Sequence, residues 1–348
     1  MSVKTINIAL QGGGSHGAYT WGILDALNDD ERIDIEGISA TSAGSMNACA
    51  YASGKLKNGR QGAKDNLEKL WGAISDYGQV FNPIRKNPLD QAFQLNPLMA
   101  EWDMSESIGF SMFESLTHVV SPYQFNPLNY NPLRDIIKDV IDFDALHNCR
   151  NEKLFISATN VRNGQVKIFE NKEIDEDVVI ASTSLPYMFQ AVEIDGEAYW
   201  DGGYMGNPAL FPLFYNVKSR DILIAHINPI VRNEIPRTAI DIHNRINEVT
   251  FNSSLIKELR SIAFVKKLIH GDMIKDEFKD QYRDILLHSI RADETLKDLS
   301  IASKFDTSWD FLTDLRNRGY VETQNWLKKN FKHLNKDSTV DLVDTFLN

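Results

Sequence analysis

Three clusters in this chain carry residue types suited to acyl-transfer chemistry. The first is Gln11-Gly12-Gly13-Gly14-Ser15-His16-Gly17, placed after an apolar strand and before a helical pattern. Glycines there let the backbone turn sharply and leave amide N–H groups open. The helix start adds partial positive charge. Such a loop can hold a phosphate or the oxyanion of an acyl-transfer intermediate. The second is Ala40-Thr41-Ser42-Ala43-Gly44, again between a strand and a helix. That is the setting of a nucleophile elbow, where a serine hydroxyl stands exposed on a tight turn and the next amide, here Ala43, faces the same carbonyl. Alanine at 40 replaces the usual glycine two places before the serine. The third is Asp201-Gly202-Gly203, at a strand end. Its glycines admit a neighbouring segment close to a carboxylate.

Each cluster alone has a plainer reading. GxSxG-like pentapeptides are frequent, Asp-Gly-Gly is commonly a turn, and Gly12, Gly14 and Gly17 also fit a GxGxxG phosphate cradle. A dinucleotide site wants an acid at the end of the second strand. Asp34 and Glu36 fall early or mid-strand, and the strand ends in Ser39-Ala40-Thr41-Ser42 instead. Together, three glycine-shaped loops at the C-terminal ends of strands are expected on one edge of a parallel sheet, where α/β proteins bind ligands.

The elements that must position these residues are legible in outline. Ile6 to Leu10 and Ile33 to Ser39 read as strands, Ala18 to Leu27 and Ala43 to Ala52 as helices. This alternation predicts a parallel sheet with helices on its faces. From about Trp71 to Leu133 the chain reads as an apolar, turn-rich insertion, with ten aromatics and five Asn-Pro pairs. It is the candidate for an acyl-chain cleft, lid or membrane-contacting surface, or else an extra core layer. Asn163-Gly164 and Asp195-Gly196 are hairpin signals, Glu176 to Ser182 a helix, and Asp221 to Ile227 and Ile285 to Ile290 strands. Pro236 to Leu268 is helical, and 307–347 reads as two or three amphipathic helices. The expected organisation is a catalytic core over 1–230 and a mainly helical extension over 231–348, packed on that core.

The chain has 348 residues and a net charge of −11. This balance argues against nucleic acid as a partner. The imbalance is local: residues 1–230 hold 18 basic and 29 acidic residues, and 231–348 hold 19 of each. Two cysteines, Cys49 and Cys149, make no disulfide framework or metal site. With no signal-peptide pattern and no span-length apolar run, a cytoplasmic location is expected, although a signal-independent export route would leave no trace of this kind.

In order and context the three motifs resemble those of patatin-like lipid acyl hydrolases. The glycine-rich oxyanion loop matches Gly12 to Gly17, the GxSxG element Ala40 to Gly44, and the Asp-Gly-Gly/Ala motif Asp201 to Gly203. Ala181 to Phe189 is similar to the stretch before the family's aspartate. The departures are Ala40 for glycine and His16 where many members carry arginine. The resemblance covers roughly residues 5 to 230. It implies a three-layer α/β/α fold with a mostly parallel central sheet. It also implies a Ser–Asp dyad with Ser42 as nucleophile and Asp201 as general base. Gly12, Gly13, Gly14 and Ala43 are then the oxyanion donors, and Gly17, Gly44, Gly202 and Gly203 the motif glycines. His16 is a positioning or electrostatic side chain. No cofactor or metal is expected, and the partner is a lipid or other acyl ester, with transient contact to a lipid surface. An aspartate is a weak base for a hydroxyl at its ordinary pKa; desolvation or neighbouring negative charge must raise it, and Glu193, Asp195 and Glu197 upstream are candidates for the second. His226 and His288 fall in strands and His243 and His270 in helices, so none reads as a triad histidine. The alternatives are a storage-polyester or thioester hydrolase with the same dyad, and a non-catalytic lipid-binding protein of the same fold.

Overall fold

The computed structural model describes residues 3–81, 120–232, 235–237, 239–297, 299 and 301–342. Its centre is an eight-stranded sheet in the order β5-β6-β3-β2-β1-β7-β8, with β4 paired to β3. The strands are β1 (Lys4–Leu10), β2 (Ile33–Ala40), β3 (Lys153–Asn160), β4 (Val166–Glu170), β5 (Val192–Ile194), β6 (Glu197–Asp201), β7 (Asp221–His226) and β8 (Leu286–Arg291). β1, β2, β3, β7 and β8 run parallel. β4, β5 and β6 make the antiparallel side.

Both faces of the sheet are covered, as a parallel sheet requires. Alternation along the strands divides the core. Leu223 and Ala225 of β7 pack with α1 (Gly17–Asp29), α2 (Ala43–Phe81), α3 (Leu133–Val140), α4 (Glu176–Thr183) and α6 (Trp309–Asn330). Ile222 and Ile224 point the other way, onto Leu255, Leu259 and Ile262 of α5 (Ala239–His270). The result is the expected three-layer α/β/α arrangement. At the C-terminal side, α6 lies against α1. A Cβ on Gly22 would fall 1.9 Å from the Arg316 carbonyl oxygen, and one on Gly319 2.1 Å from that of Tyr19, so the two helices touch backbone to backbone. Arg316 also pairs with the buried Asp25.

One expectation about the helical layer changes. Trp71 onward is not turn-rich up to Phe81, because it is helical. α2 breaks at Asn58 and Gly59, where the dihedrals leave the helical region, and its second arm, 60–81, returns beside the first. Asn66 Nδ2 reaches the Ala50 carbonyl at 3.3 Å, and Trp71 Nε1 donates to Asn47 Oδ1 at 2.9 Å. The aromatic at 71 is thus a buried contact of a helical hairpin. Residues 82–119, the larger part of the expected insertion, lie outside the described residues. Of the stretch 307–347, the described part holds α6 and a short 3-10 turn, Phe331–His333, and residues 343–347 lie outside the described residues.

Candidate active site

A further change concerns the strand that delivers Asp201. β6 runs antiparallel to β3, so its C-terminal end does not belong to the parallel edge. Register places it there nevertheless. Along β3, β2 pairs with residues 153–156 and β6 with 158–160. β4 fills the opposite edge from 155 to 159, which leaves β2 and β6 in tandem on one edge. They meet head to head. Ala40 lies opposite Ile156 and Asp201 opposite Ala158, with Ser157 between. The ends of the strands that lead to Ser42 and Asp201 therefore converge.

Ser42 sits at φ 55°, in the left-handed region, the strained conformation of a nucleophile elbow. Its backbone N–H donates to Ser182 Oγ at 2.9 Å. The Asp201 N–H donates to the Ser184 carbonyl at 2.8 Å. One segment, Ser182 to Ser184, thus holds the backbones of both residues. The sequence marked it only as a likeness, with no chemistry of its own. Further ties come from the loop after Asp201: Thr41 Oγ1 donates to the Gly206 carbonyl at 2.6 Å, and Ser39 Oγ to that of Ala209 at 2.5 Å. Ala40 is fully buried within β2 and is not a positive-φ residue, so the alanine fits where glycine is usual.

Asp201 is completely buried. Burial raises its carboxyl pKa to about 7, against the pull of the Gly203 N–H and the Ser42 hydroxyl. Oδ1 accepts the Gly203 amide at 2.7 Å. Oδ2 has no well-aligned protein partner. The Ser42 hydroxyl is near enough to stabilise the carboxylate but is not in ideal hydrogen-bond geometry, a looseness common in unliganded sites. The expected acidic neighbours take no part. Glu193 and Asp195 are exposed, Glu197 is turned to Asn160 and Arg162, and none contributes to the Asp201 shift. Burial is what raises the proton affinity of this carboxylate.

The glycine-rich loop closes over Ser42. A Cβ on Gly12 would lie 2.5 Å from the Ser42 Cβ, so only glycine permits that approach. The Gly12 amide is not an open donor, however, because it is bound to Asn207 Oδ1 at 2.7 Å. Gly13, Gly14 and Ala43 keep N–H groups without a partner among the described residues. Gly17 opens α1, and Gly44 sits in the first turn of α2 against the Leu10 carbonyl. His16 is 4% exposed, and its Nε2 shares a hydrogen bond with Ser303 Oγ at 2.7 Å. Burial, then the charges of Lys304 and Arg232, hold its pKa well below the usual histidine value. His16 is therefore held in its neutral form beside Ser303. Three of the other named histidines are engaged elsewhere: His226 with Asn252 and the Asn228 backbone, His288 with Asp221 and Thr339, and His270 with Asp284. His243 lies in α5.

Beneath the loop is a polar cluster that sequence reasoning missed. Gln11 Oε1 accepts the Ile227 and Asn228 amides at 2.9 and 3.0 Å. Its Nε2 donates to Asn252 Oδ1 and the Asn207 carbonyl, each at 3.2 Å. Isolated amide side chains spread over 240 residues leave no local signature.

A family model described as patatin-like phospholipase matches residues 8–214, more than half of the chain. The chain belongs to the patatin-like phospholipase family. Members of this family are lipid hydrolases. Among solved structures, VipD from Legionella pneumophila is similar at 14% identity and a TM-score of 0.45, covering 98% of this chain and 72% of that one. A chain in the heterodimeric ExoU–SpcU complex from the type III secretion system of Pseudomonas aeruginosa is similar at 13% identity and a TM-score of 0.41. That match covers 95% of this chain and 52% of that one. No curated protein matches the sequence.

Gly202 offers a direct test of the head-to-head strand geometry. A Cβ there would lie 2.2 Å from the Ser157 carbonyl oxygen, a backbone atom that cannot swing aside. Gly202→Ala should lower stability by about 1–3 kcal/mol through overpacking, and should reduce turnover in the fraction that folds, because Asp201 must shift. Thermal melts and single-point kinetics measure both. Wild-type stability together with wild-type turnover would refute the close approach.

Proposed function

We propose that this protein is a serine esterase that hydrolyses acyl esters of lipids through Ser42 and Asp201. The observation that carries this reading is the meeting of a serine in the left-handed region with a buried carboxyl of pKa about 7, at the junction of β2 and β6. In the first step Asp201 takes the proton of the Ser42 hydroxyl as Oγ attacks the ester carbonyl. The N–H groups of Gly13, Gly14 and Ala43 stabilise the oxyanion. Protonated Asp201 returns its proton to the leaving alkoxide, and an acyl-enzyme remains. Water, deprotonated by Asp201, then releases the acid.

Contact with lipid is supported on one flank. Tyr123, Leu128, Tyr130 and Tyr187 are exposed, Leu128 at 90%. The segment that holds the first three is bonded to the two residues after Phe189, through Gln190 Nε2 on the Asn126 carbonyl and the Ala191 N–H on Tyr123 Oη. Between them an open cleft of about 320 Å³ is lined by Tyr123, Arg134, Asp177, Ser184, Phe189 and Glu193. This mixed lining suits a polar headgroup better than an acyl chain. Among the described residues no helix is long and apolar enough to cross a membrane, so approach to a bilayer is through such a surface.

The acidic bias of residues 1–230 favours neutral or zwitterionic esters over anionic ones. Product profiling on phospholipid, triglyceride, acyl-CoA and polyester substrates tests the reaction class; release of fatty acid from the lipid esters is the expected outcome, and products from the polyester or acyl-CoA alone would replace it. Phosphatidylcholine vesicles should be hydrolysed several-fold faster than vesicles doped with phosphatidylglycerol at low salt. The gap should close as added salt shortens the screening length from ~30 Å at ~0.01 M toward ~3 Å at ~1 M. Faster turnover on the anionic vesicles would overturn the headgroup preference.

A further inference from the structure

Two residues beyond the family-matched stretch grip the glycine-rich loop. Asn228, just after β7, is 1% exposed. Its Nδ2 donates to the Gly12 carbonyl at 2.7 Å and to Gln11 Oε1 at 3.3 Å. Its Oδ1 accepts from Lys304 Nζ at 2.7 Å. Lys304 belongs to the 3-10 turn Ile301–Phe305 of the C-terminal region. The backbone of the same lysine packs on Gly14, where a Cβ would meet the Lys304 carbonyl oxygen at 2.5 Å. The preceding residue, Ser303, holds His16. One short turn therefore supports the loop at Gly12, Gly14 and His16.

The bonding order has a chemical consequence. The Gly12 carbonyl and the Gly13 N–H belong to one peptide unit. A donor on that carbonyl polarises the N–H on the far side, and a charged donor behind the first strengthens the effect. Lys304 is that charged donor, and the Gly13 N–H at the other end has no partner among the described residues. Gly12 itself abuts Ser42. His16, neutral and buried, cannot supply the charge. The Lys304 residue keeps some exposed surface, yet enclosure of its ammonium lowers its pKa to about 8, with Glu248 favouring and Arg232 opposing the charged form. It is mostly protonated at neutral pH.

We propose that Lys304 is a positioning residue of the hydrolytic reaction, whose charge acts through the Asn228 amide to orient and polarise the Gly12–Gly13 peptide at the oxyanion. This rests on the reading of Ser42 as the nucleophile. It makes the C-terminal region part of the active site rather than an appendage to it.

Lys304→Met removes the charge and keeps most of the volume. With a short p-nitrophenyl ester near neutral pH, kcat should fall roughly tenfold or more, less than the loss of a direct oxyanion donor. KM should stay within about twofold, and the melting temperature should stay above that of the assay. Asn228→Ala should do the same, and the double variant should be no slower than the slower single one, because both act along one route. A K304M enzyme within about threefold of wild-type kcat, or single losses that multiply in the double variant, would overturn the proposal. Should K304M not fold, Lys304→Gln is judged by the same criteria. Ser42→Ala, run alongside, separates the two readings. If it is inactive and K304M is not slowed, only the role of Lys304 is lost. If it retains wild-type turnover, both readings are lost.

Discussion

Ser42→Ala should reduce hydrolysis of a p-nitrophenyl ester by about 10³-fold or more, to whatever the oxyanion donors and binding alone can give. It should also abolish covalent labelling by a fluorophosphonate. The substitution removes one oxygen, and alanine pays the same penalty as serine for the left-handed backbone at φ 55°, so the fold should be unaffected. Ser42→Gly separates chemistry from strain. It is equally inactive but relieves about 1 kcal/mol of backbone cost, so its melting temperature should lie about 2 °C above that of S42A. An S42A protein that turns over near the wild-type rate, or a wild-type protein labelled at some other residue, would end the assignment. Wild-type protein that takes no label at all would favour a binding module that retains only the fold.

Strand–loop–helix units at residues 4–29 and 33–57 were legible because each step has a local cause. β1 and β2 are short apolar runs, the loops between are glycine-shaped, and the helices start at small residues. The turn at Asp195-Gly196 was legible for the same reason, and both residues take positive φ, 51° and 81°. What could not be read is whatever depends on elements distant in sequence. The direction of β6 is not encoded within Glu197 to Asp201; it follows from its pairing with β3. The return of α2 is set by Asn58-Gly59, but the aromatic content after Trp71 drew attention away from its helical spacing. The sequence leaves two causes open for a raised Asp201 pKa, desolvation and the nearby carboxylates, and only the fold decides for burial, under Ser42, Gly203 and the strands around them. Asn207, Asn228 and Ser182 are ordinary polar residues until the fold turns Asn207 and Asn228 onto the loop backbone and Ser182 onto Ser42.

Asp201→Asn should remove activity while raising stability at neutral and alkaline pH. The carboxyl has its pKa raised from 3.8 to about 7, chiefly by burial. Below pH 7 the base is protonated, so wild-type kcat/KM should fall about tenfold for each pH unit below that point and level off above it. The stability sign runs the other way. An acid whose folded pKa is raised binds its proton more tightly in the native state, so its contribution is fully present below the unfolded pKa and lost as pH rises through the folded one. A rise from 3.8 to about 7, at about 1.4 kcal/mol per pH unit, puts the cost of an ionised Asp201 on the order of 4 kcal/mol. Asparagine has the same shape, still accepts the Gly203 N–H through its oxygen, and never ionises. The melting-temperature gain of D201N over wild type should therefore grow between about pH 4 and pH 7 and stay constant above, while its turnover stays at the residual level throughout. Melts and rates across that range decide the matter. A D201N protein less stable than wild type at pH 8, or a wild-type rate that is flat from pH 6 to 8, would mean that the buried carboxyl is not the base. The cost of an ionised Asp201 and the base strength expected of it have one physical origin, the burial of its carboxyl, and the two measurements read that origin with opposite signs.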